Sequence, residues 1–220
     1  MAGRDAASIG TAEVGKIIAS VAKELLAPLG VRRKGRSRTW LDDHGWWLGI
    51  VEFQPSSWGA GSYLNVGSMF LWEPLDHLVL EGKARLDKFS PAEDEASFRR
   101  AIYAKAEKAR DELMSLRRRF ASLNDVTAYH ATLPGKLSMS DQASVGTASG
   151  LLGDMERCRS AFDQALVLRE QAGSGIWRAS AWMLNARQAA ADEYAFREWV
   201  SSTLNQTRAS LNLAGPIEVP

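Results

Sequence analysis

The residue pattern predicts an α+β protein: a small antiparallel sheet, a meander, packed with helices and followed by a C-terminal helical bundle with repeat-like hairpins. Residues 31–72 hold runs rich in Trp, Val, Ile and Tyr, broken by turn signals at Asp42-Asp43-His44-Gly45 and Pro55-Ser56-Ser57-Trp58-Gly59. On either side of that stretch, apolar residues recur at helical spacing. Beyond about residue 139, small residues and single aromatics are spaced as in packed helical hairpins. These readings divide the chain into an α+β domain over 1–123 and a helical region over 135–213.

Thr11 is read as the N-cap of a first helix, with Glu13 in its first turn. Val14, Ile17, Ile18, Val21 and Leu25 then share one face, and Pro28 and Gly30 end the helix. The ten or so residues before it read as a disordered lead-in. Strands follow near 31–41, 46–54 and 61–72, and links this short favour antiparallel neighbours. The middle strand is apolar on both sides, with Trp46, Leu48 and Ile50 on one and Trp47, Val51 and Phe53 on the other. Such a strand is central and covered on both faces.

Glu73-Pro74 ends the expected sheet, and Leu75, Leu78 and Val79 suggest a short helix before Gly82. Ser90-Pro91-Ala92-Glu93 has the form of a capping box with Pro at the first helical position. From there Phe98, Ile102, Ala106, Ala109, Leu113, Leu116 and Phe120 predict one long helix to about residue 122. Asn124 to Gly135, with Pro134, reads as the linker.

With 45% hydrophobic residues in 220, the chain can bury a sizeable core. The 27 basic and 26 acidic residues leave a net charge of +1, so no overall field draws the protein to nucleic acid or an anionic membrane. A single cysteine, Cys158, excludes an intramolecular disulfide and a cysteine-based zinc site. No run approaches the ~18 apolar residues of a membrane span, and the first residues lack the apolar core of a signal peptide. Cytoplasmic residence is the expectation, with no cofactor.

Candidate chemistry is sparse. Arg32, Lys34, Arg36 and Arg38 alternate, which would set four cations on one side of the first strand, ahead of Trp40. Phosphate or an acidic partner could bind such a ladder, although charge on an edge strand also serves to block edge-to-edge association. The overall charge favours that second explanation. Asp43 ahead of Glu52-Phe53-Gln54 resembles the acidic residue and Glu-x-Lys of metal-dependent nucleases, with Gln54 where Lys is required. Against this, Asp43 falls in a turn and Glu52 is expected to pair with Arg33 across the hairpin.

Trp58-Gly59-Ala60-Gly61-Ser62 leads into a strand, so it reads as a turn and not as a phosphate-binding loop. His44, His77 and His130 are dispersed and expected to be solvated, and Cys158 reads as a packing residue. Of the eight tryptophans, Trp58 stands on a turn and is the expected exposed anchor. Ile176, Trp177, Trp182, Met183, Tyr194, Phe196, Trp199 and Leu204 are more apolar surface than a small bundle is expected to hide, which suggests a homodimer.

Two resemblances accompany these readings. Gly30-Val31-Arg32-Arg33-Lys34-Gly35-Arg36-Ser37-Arg38-Thr39-Trp40, then Val51-Glu52-Phe53-Gln54-Pro55-Ser56 and Tyr63-Leu64-Asn65-Val66-Gly67, resembles the bacterial family catalogued as domain of unknown function 4304, over about residues 12–72. That resemblance implies an α+β core and brings no chemistry with it. Within 139–170, Val145-Gly146, Gly153-Asp154, Phe162 and Ala165-Leu166 resemble one tetratricopeptide hairpin; a fainter echo, with Ala191-Asp192 as its turn, follows a helix Trp177–Gln188. The resulting expectation is a non-catalytic bacterial interaction module that binds a protein partner. Its candidate binding residues are Arg32, Lys34, Arg36, Arg38, Trp40, Glu52, Gln54 and Trp58. The alternatives are a nuclease-like enzyme using Asp43, Glu52 and Gln54, or nucleic-acid binding through the basic first strand.

Overall fold

A stripe of Val14, Ile17, Ile18, Val21, Ala22 and Leu26 is buried along the first helix, α1 (Thr11–Leu26), as the apolar spacing requires. The computed structural model that shows this describes residues 9–81, 85–172 and 177–219; Gly82, Ile176 and most of the expected N-terminal lead-in lie outside them. Gly10, with extended backbone, holds the N-cap position, so Thr11 is the first helical residue and not the cap. The described residues divide into two compact units, one drawn from Met1–Met69 and Val79–Leu116, the other from Phe70–Leu78 and Arg117–Pro220.

The sheet in the first unit is the expected meander with five strands in place of three: β1 (Arg32–Arg33), β2 (Thr39–Asp43), β3 (Trp47–Glu52), β4 (Gly61–Phe70) and β5 (Arg85–Pro91), in sequential order. The expected first strand is two strands, because the chain reverses through residues 34–38. There the Arg33 guanidinium donates to the carbonyls of Ser37 (2.6 Å) and Arg36 (2.9 Å), and the Ser37 hydroxyl donates to the Lys34 carbonyl (2.6 Å). The short helix expected within 73–89 is absent among the described residues. Glu81 instead bridges Ser68, and β5 follows.

Strand β3 is central, and its first five residues are buried. On one face of the sheet, Gly49 lies where an added Cβ would sit 2.7 Å from Leu113, so helix α2 (Glu95–Arg119) lies close against the sheet there. Ser90 and Pro91 belong to β5, and Asp94 caps α2 in their place. Its carboxylate accepts from the Ser97 N–H (2.9 Å), while its carbonyl accepts the first intrahelical bond from Phe98 (3.0 Å). Lys105 on α2 is buried and donates to the Lys88 carbonyl (2.5 Å), with Asp87 3.5 Å away. Burial drives the Lys105 ammonium below its ordinary value against the pull of Asp87. Burial would raise Asp87, but bonds from Lys108 and the Lys88 N–H, with both lysine charges, hold it below the usual carboxylate range.

In the second unit, the expected linker 124–135 is mostly helix: α3 (Leu123–Thr132) is capped by Ser122, whose hydroxyl accepts from the Asp125 N–H. Leu123, Val126, Thr127 and His130 form its buried side, and the polar residues among them hid the period from the sequence. Helices α4 (Met139–Leu151), α5 (Met155–Ala172), α6 (Trp177–Ala189) and α7 (Glu193–Ser210) follow. A complete capping box between Ser138 and Asp141 starts α4. It ends in a Schellman motif: Gly153, at φ +85°, donates to Gly150, and Asp154 donates to Ser149. The Asp154 carboxylate then accepts from the Arg157 N–H (3.0 Å) and opens α5.

Helices α4 and α5 meet at glycines. A Cβ on Gly146 would lie 2.9 Å from the Phe162 ring, and one on Gly150 would lie 2.3 Å from Phe196 and 2.8 Å from the Cys158 sulfur. Phe162, Trp182, Phe196 and Trp199 form one aromatic cluster with centroid separations of 5.9 to 6.3 Å. Trp182, Met183, Phe196 and Leu204, expected to leave apolar surface for a dimer, are buried in the chain itself; Tyr194 is exposed.

Gly150→Ala is expected to destabilise the fold by about 1–3 kcal/mol through overpacking, and Phe196→Leu in the same chain to recover part of the loss. Urea midpoints of the two variants check this. Burial, partly offset by a bond with Ser140, raises the Glu73 carboxyl above 4.5. The folded state thus holds that proton more tightly than the unfolded one, so ionisation weakens the fold above the folded pKa and the penalty is gone below 4.5. Glu73→Gln is expected to raise Tm by roughly 1–4 °C at neutral pH, with the difference vanishing as the pH is lowered to the normal carboxylate range. Thermal scans at the two pH values measure it.

Candidate functional site

One end of the sheet, where β2 and β4 begin and β3 and β5 end, gathers most of the residues singled out from sequence. Thr39 pairs with Glu52, and Gly61 pairs with Pro91. The Arg38 carbonyl accepts from Phe53, and the Gln54 carbonyl accepts from Tyr63. Arg38, Glu52, Gln54 and Trp58 therefore share this end. Arg32 lies on β1, and Lys34 and Arg36 sit in the reversal, so the four cations do not form a ladder on one strand. Trp40 is also not a surface residue: it is 4% exposed and packed in the core.

Glu52 is held by Asn65, not by Arg33 as expected, because the Arg33 fork is spent on closing the β1–β2 reversal. The Asn65 amide donates to Glu52 Oε2 (2.8 Å) and Gln54 Oε1 (3.0 Å), and the Arg85 guanidinium donates to the same Gln54 oxygen (2.6 Å). Arg85 also lies 4.0 Å above the Tyr63 ring, which in turn packs on Phe89. Sequence reading missed Asn65, Tyr63 and Arg85. The first two share a face by strand alternation, but Arg85 could not be placed without β5.

The opposite side of this end holds a cleft of about 190 Å³ lined by Thr11, Val14, Arg38 and the turn 55–61. Burial, and then the neighbouring Arg33 charge, pushes the Arg38 guanidinium below its ordinary value. Trp58 stands on the turn above, 94% exposed, with its N–H donating to the Ser56 hydroxyl (3.1 Å).

Asp43 lies at the far end of the β2–β3 ladder. It pairs with Leu48, four positions from Glu52, or roughly 13 Å at ~3.3 Å per residue. Its carboxylate accepts from the Gly45 N–H (2.9 Å) to form the turn. Asp43, Glu52 and Gln54 are thus not brought together, and among the described residues no group of three or more His, Cys, Asp or Glu could hold a metal ion.

Two histidines expected in solvent are packed. His44 stacks on Trp47 with centroids 4.2 Å apart and Nε2 2.9 Å from buried Asp42. His130 is buried on α3, with Nδ1 donating to the Val126 carbonyl (2.8 Å). His77 is exposed beside Asp76. Cys158 is buried and its thiol is pushed up to about 12 by burial, which leaves it unreactive as a nucleophile.

The second unit carries the larger concavity, an open groove of about 910 Å³ along the outer side of α5. Leu137, Val167 and Leu168 supply apolar lining, and Val167 is 52% exposed. Part of the polar lining is already ordered: Gln142 donates to Gln164 (2.9 Å), Arg187 to Asp163 (2.8 Å), and Arg159 to the Ala190 carbonyl (3.1 Å). No sequence signal marked this groove beyond an apolar residue, Val167, outside the buried positions Cys158, Ala161, Phe162 and Ala165.

No family model, no curated protein and no solved structure matches the chain. Among the described residues, no helix is long and apolar enough to cross a membrane.

Asn65→Ala is expected to cost about 1–3 kcal/mol, because it removes the donor to Glu52 Oε2 and one of the two donors to Gln54 Oε1. Denaturant titration measures this, and an unchanged midpoint would show that the network does not hold β3 to β4.

Proposed function

We propose that the protein is a non-catalytic interaction module of the bacterial cytoplasm that binds a protein partner through the groove along α5. The observation that supports this reading is the groove itself. Five of its polar side chains, Gln142, Gln164, Arg187, Asp163 and Arg159, are bonded to one another or to backbone, while Leu137, Val167 and Leu168 are left to receive apolar side chains. A partner helix or strand that covers them would bury apolar surface without stripping the polar groups of their bonds. Pre-ordered polar groups also lower the entropic cost of binding.

The test compares two baits, the unaltered chain and Val167→Asp, in quantitative pull-downs from native lysate. A charge at the groove's exposed apolar position is expected to reduce recovery of the partner about tenfold or more, equivalent to ~1.4 kcal/mol. Equal recovery by two baits with the same helix content would overturn the assignment to this groove.

A further inference from the structure

Helix α7 ends at Ser210, and the chain turns back through Asn212, which is left-handed at φ +56°, so that residues 214–219 run without regular structure beside the last turns of the helix. Two side chains of α7 hold this return segment. The Asn205 carboxamide makes a two-point contact with one residue: its Oδ1 accepts from the Ile217 N–H (2.9 Å) and its Nδ2 donates to the Ile217 carbonyl (3.2 Å). Arg208, 3% exposed, donates from Nε to the Gly215 carbonyl (3.1 Å) and from its terminal nitrogen to the Ala214 carbonyl (2.6 Å).

All four bonds go to main-chain atoms. Asn205 offers Ile217 the donor and acceptor that a neighbouring strand would offer, and Arg208, one turn on, reads two successive carbonyls. Such a pair recognises a main-chain path, bent at Ala214-Gly215 where Gly215 is left-handed at φ +53°, and not a particular side chain. Selectivity would come from Gly215, whose φ of +53° side-chain-bearing residues rarely adopt, and from Pro216, whose ring fixes φ just ahead of Ile217.

We propose that α7 carries a binding site for a short peptide segment read through its main chain, which the segment 214–217 occupies as an intramolecular ligand and which an Ala-Gly-Pro-Ile-like segment of a partner can take over. The site is separate from the α5 groove and does not rest on it. The tether between Ser210 and Ala214 is short, so the internal ligand is present at an effective concentration of roughly millimolar or more, and a competing segment must exceed that to enter.

The probe is an acetylated, fluorescein-labelled peptide of residues 213–219. In the full chain, Ile217→Pro removes the N–H that Asn205 accepts and loosens the internal segment. Anisotropy is expected to show the peptide binding this variant at least about tenfold more tightly than the unaltered chain, and losing that gain in the variant that also carries Asn205→Ala. No binding to a folded Ile217→Pro chain, or equal binding with Asn205→Ala, would overturn the proposal. Should Ile217→Pro fail to fold, hydrogen exchange on the unaltered chain decides. Excess acetylated peptide is expected to accelerate exchange at the Ile217 amide, and unchanged exchange would overturn the proposal. Val167→Asp is expected to leave both readouts unmoved, whereas loss of binding in that variant would shift the peptide to the α5 groove and overturn the assignment to α7.

Discussion

The approach of α4 to α5 and α7 through two residues without side chains is the constraint on which the second unit depends. Gly146 leaves room for Phe162, and Gly150 leaves room for Phe196 and Cys158, so three helices meet at a distance that a single methyl group would forbid. The rings placed there then collect Trp182 and Trp199 into one cluster. Because α7 is seated by Phe196, and further tied by the bond from Arg197 to the Leu151 carbonyl, its last turns sit where Asn205 and Arg208 can hold the returning chain. The same contacts fix the buried side of α5 and so determine which of its residues face outward into the groove.

The first unit depends on a different balance. Its sheet is covered well enough that Leu48, Ile50 and Val51 are fully buried, and polar groups that share this environment must find partners within the fold. Asn65 does this for Glu52 and Gln54, and the Lys88 carbonyl with Asp87 does it for Lys105. In each case a polar side chain joins neighbouring elements, β3 to β4 and α2 to β5. An apolar pair would hold these elements as tightly but with less dependence on register.

Legibility followed the strength of the local signal. Helix α1 and the central strand were readable because each rests on near-neighbour chemistry, an apolar stripe and alternation with both faces apolar, whereas the Gly153-Asp154 turn came with the resemblance to a tetratricopeptide hairpin. Strand β5 was not, since its residues Arg85, Asp87, Lys88 and Ser90 carry little apolar pattern and are held by pairing with β4. Helix α3 failed for a related reason, as Thr127 and His130 lie on its buried side. The alternating cations from Arg32 to Arg38 had strand period, but the bonds of Arg33 and Ser37 to nearby carbonyls favour a reversal within that run.

By itself, then, the order of residues determined the α+β class, the meander, the presence of close-packed hairpins after it and the packing role of Cys158, because these follow from hydrophobic period, turn chemistry and residue size. Only the tertiary structure decided which polar side chains meet. Glu52 and Asn65 are thirteen residues apart and Gln54 and Arg85 thirty-one, and Asn205 reaches Ile217 across a turn. Such pairings depend on strand register and helix placement, which are set by the packing of the whole core and leave no mark in any short window of sequence.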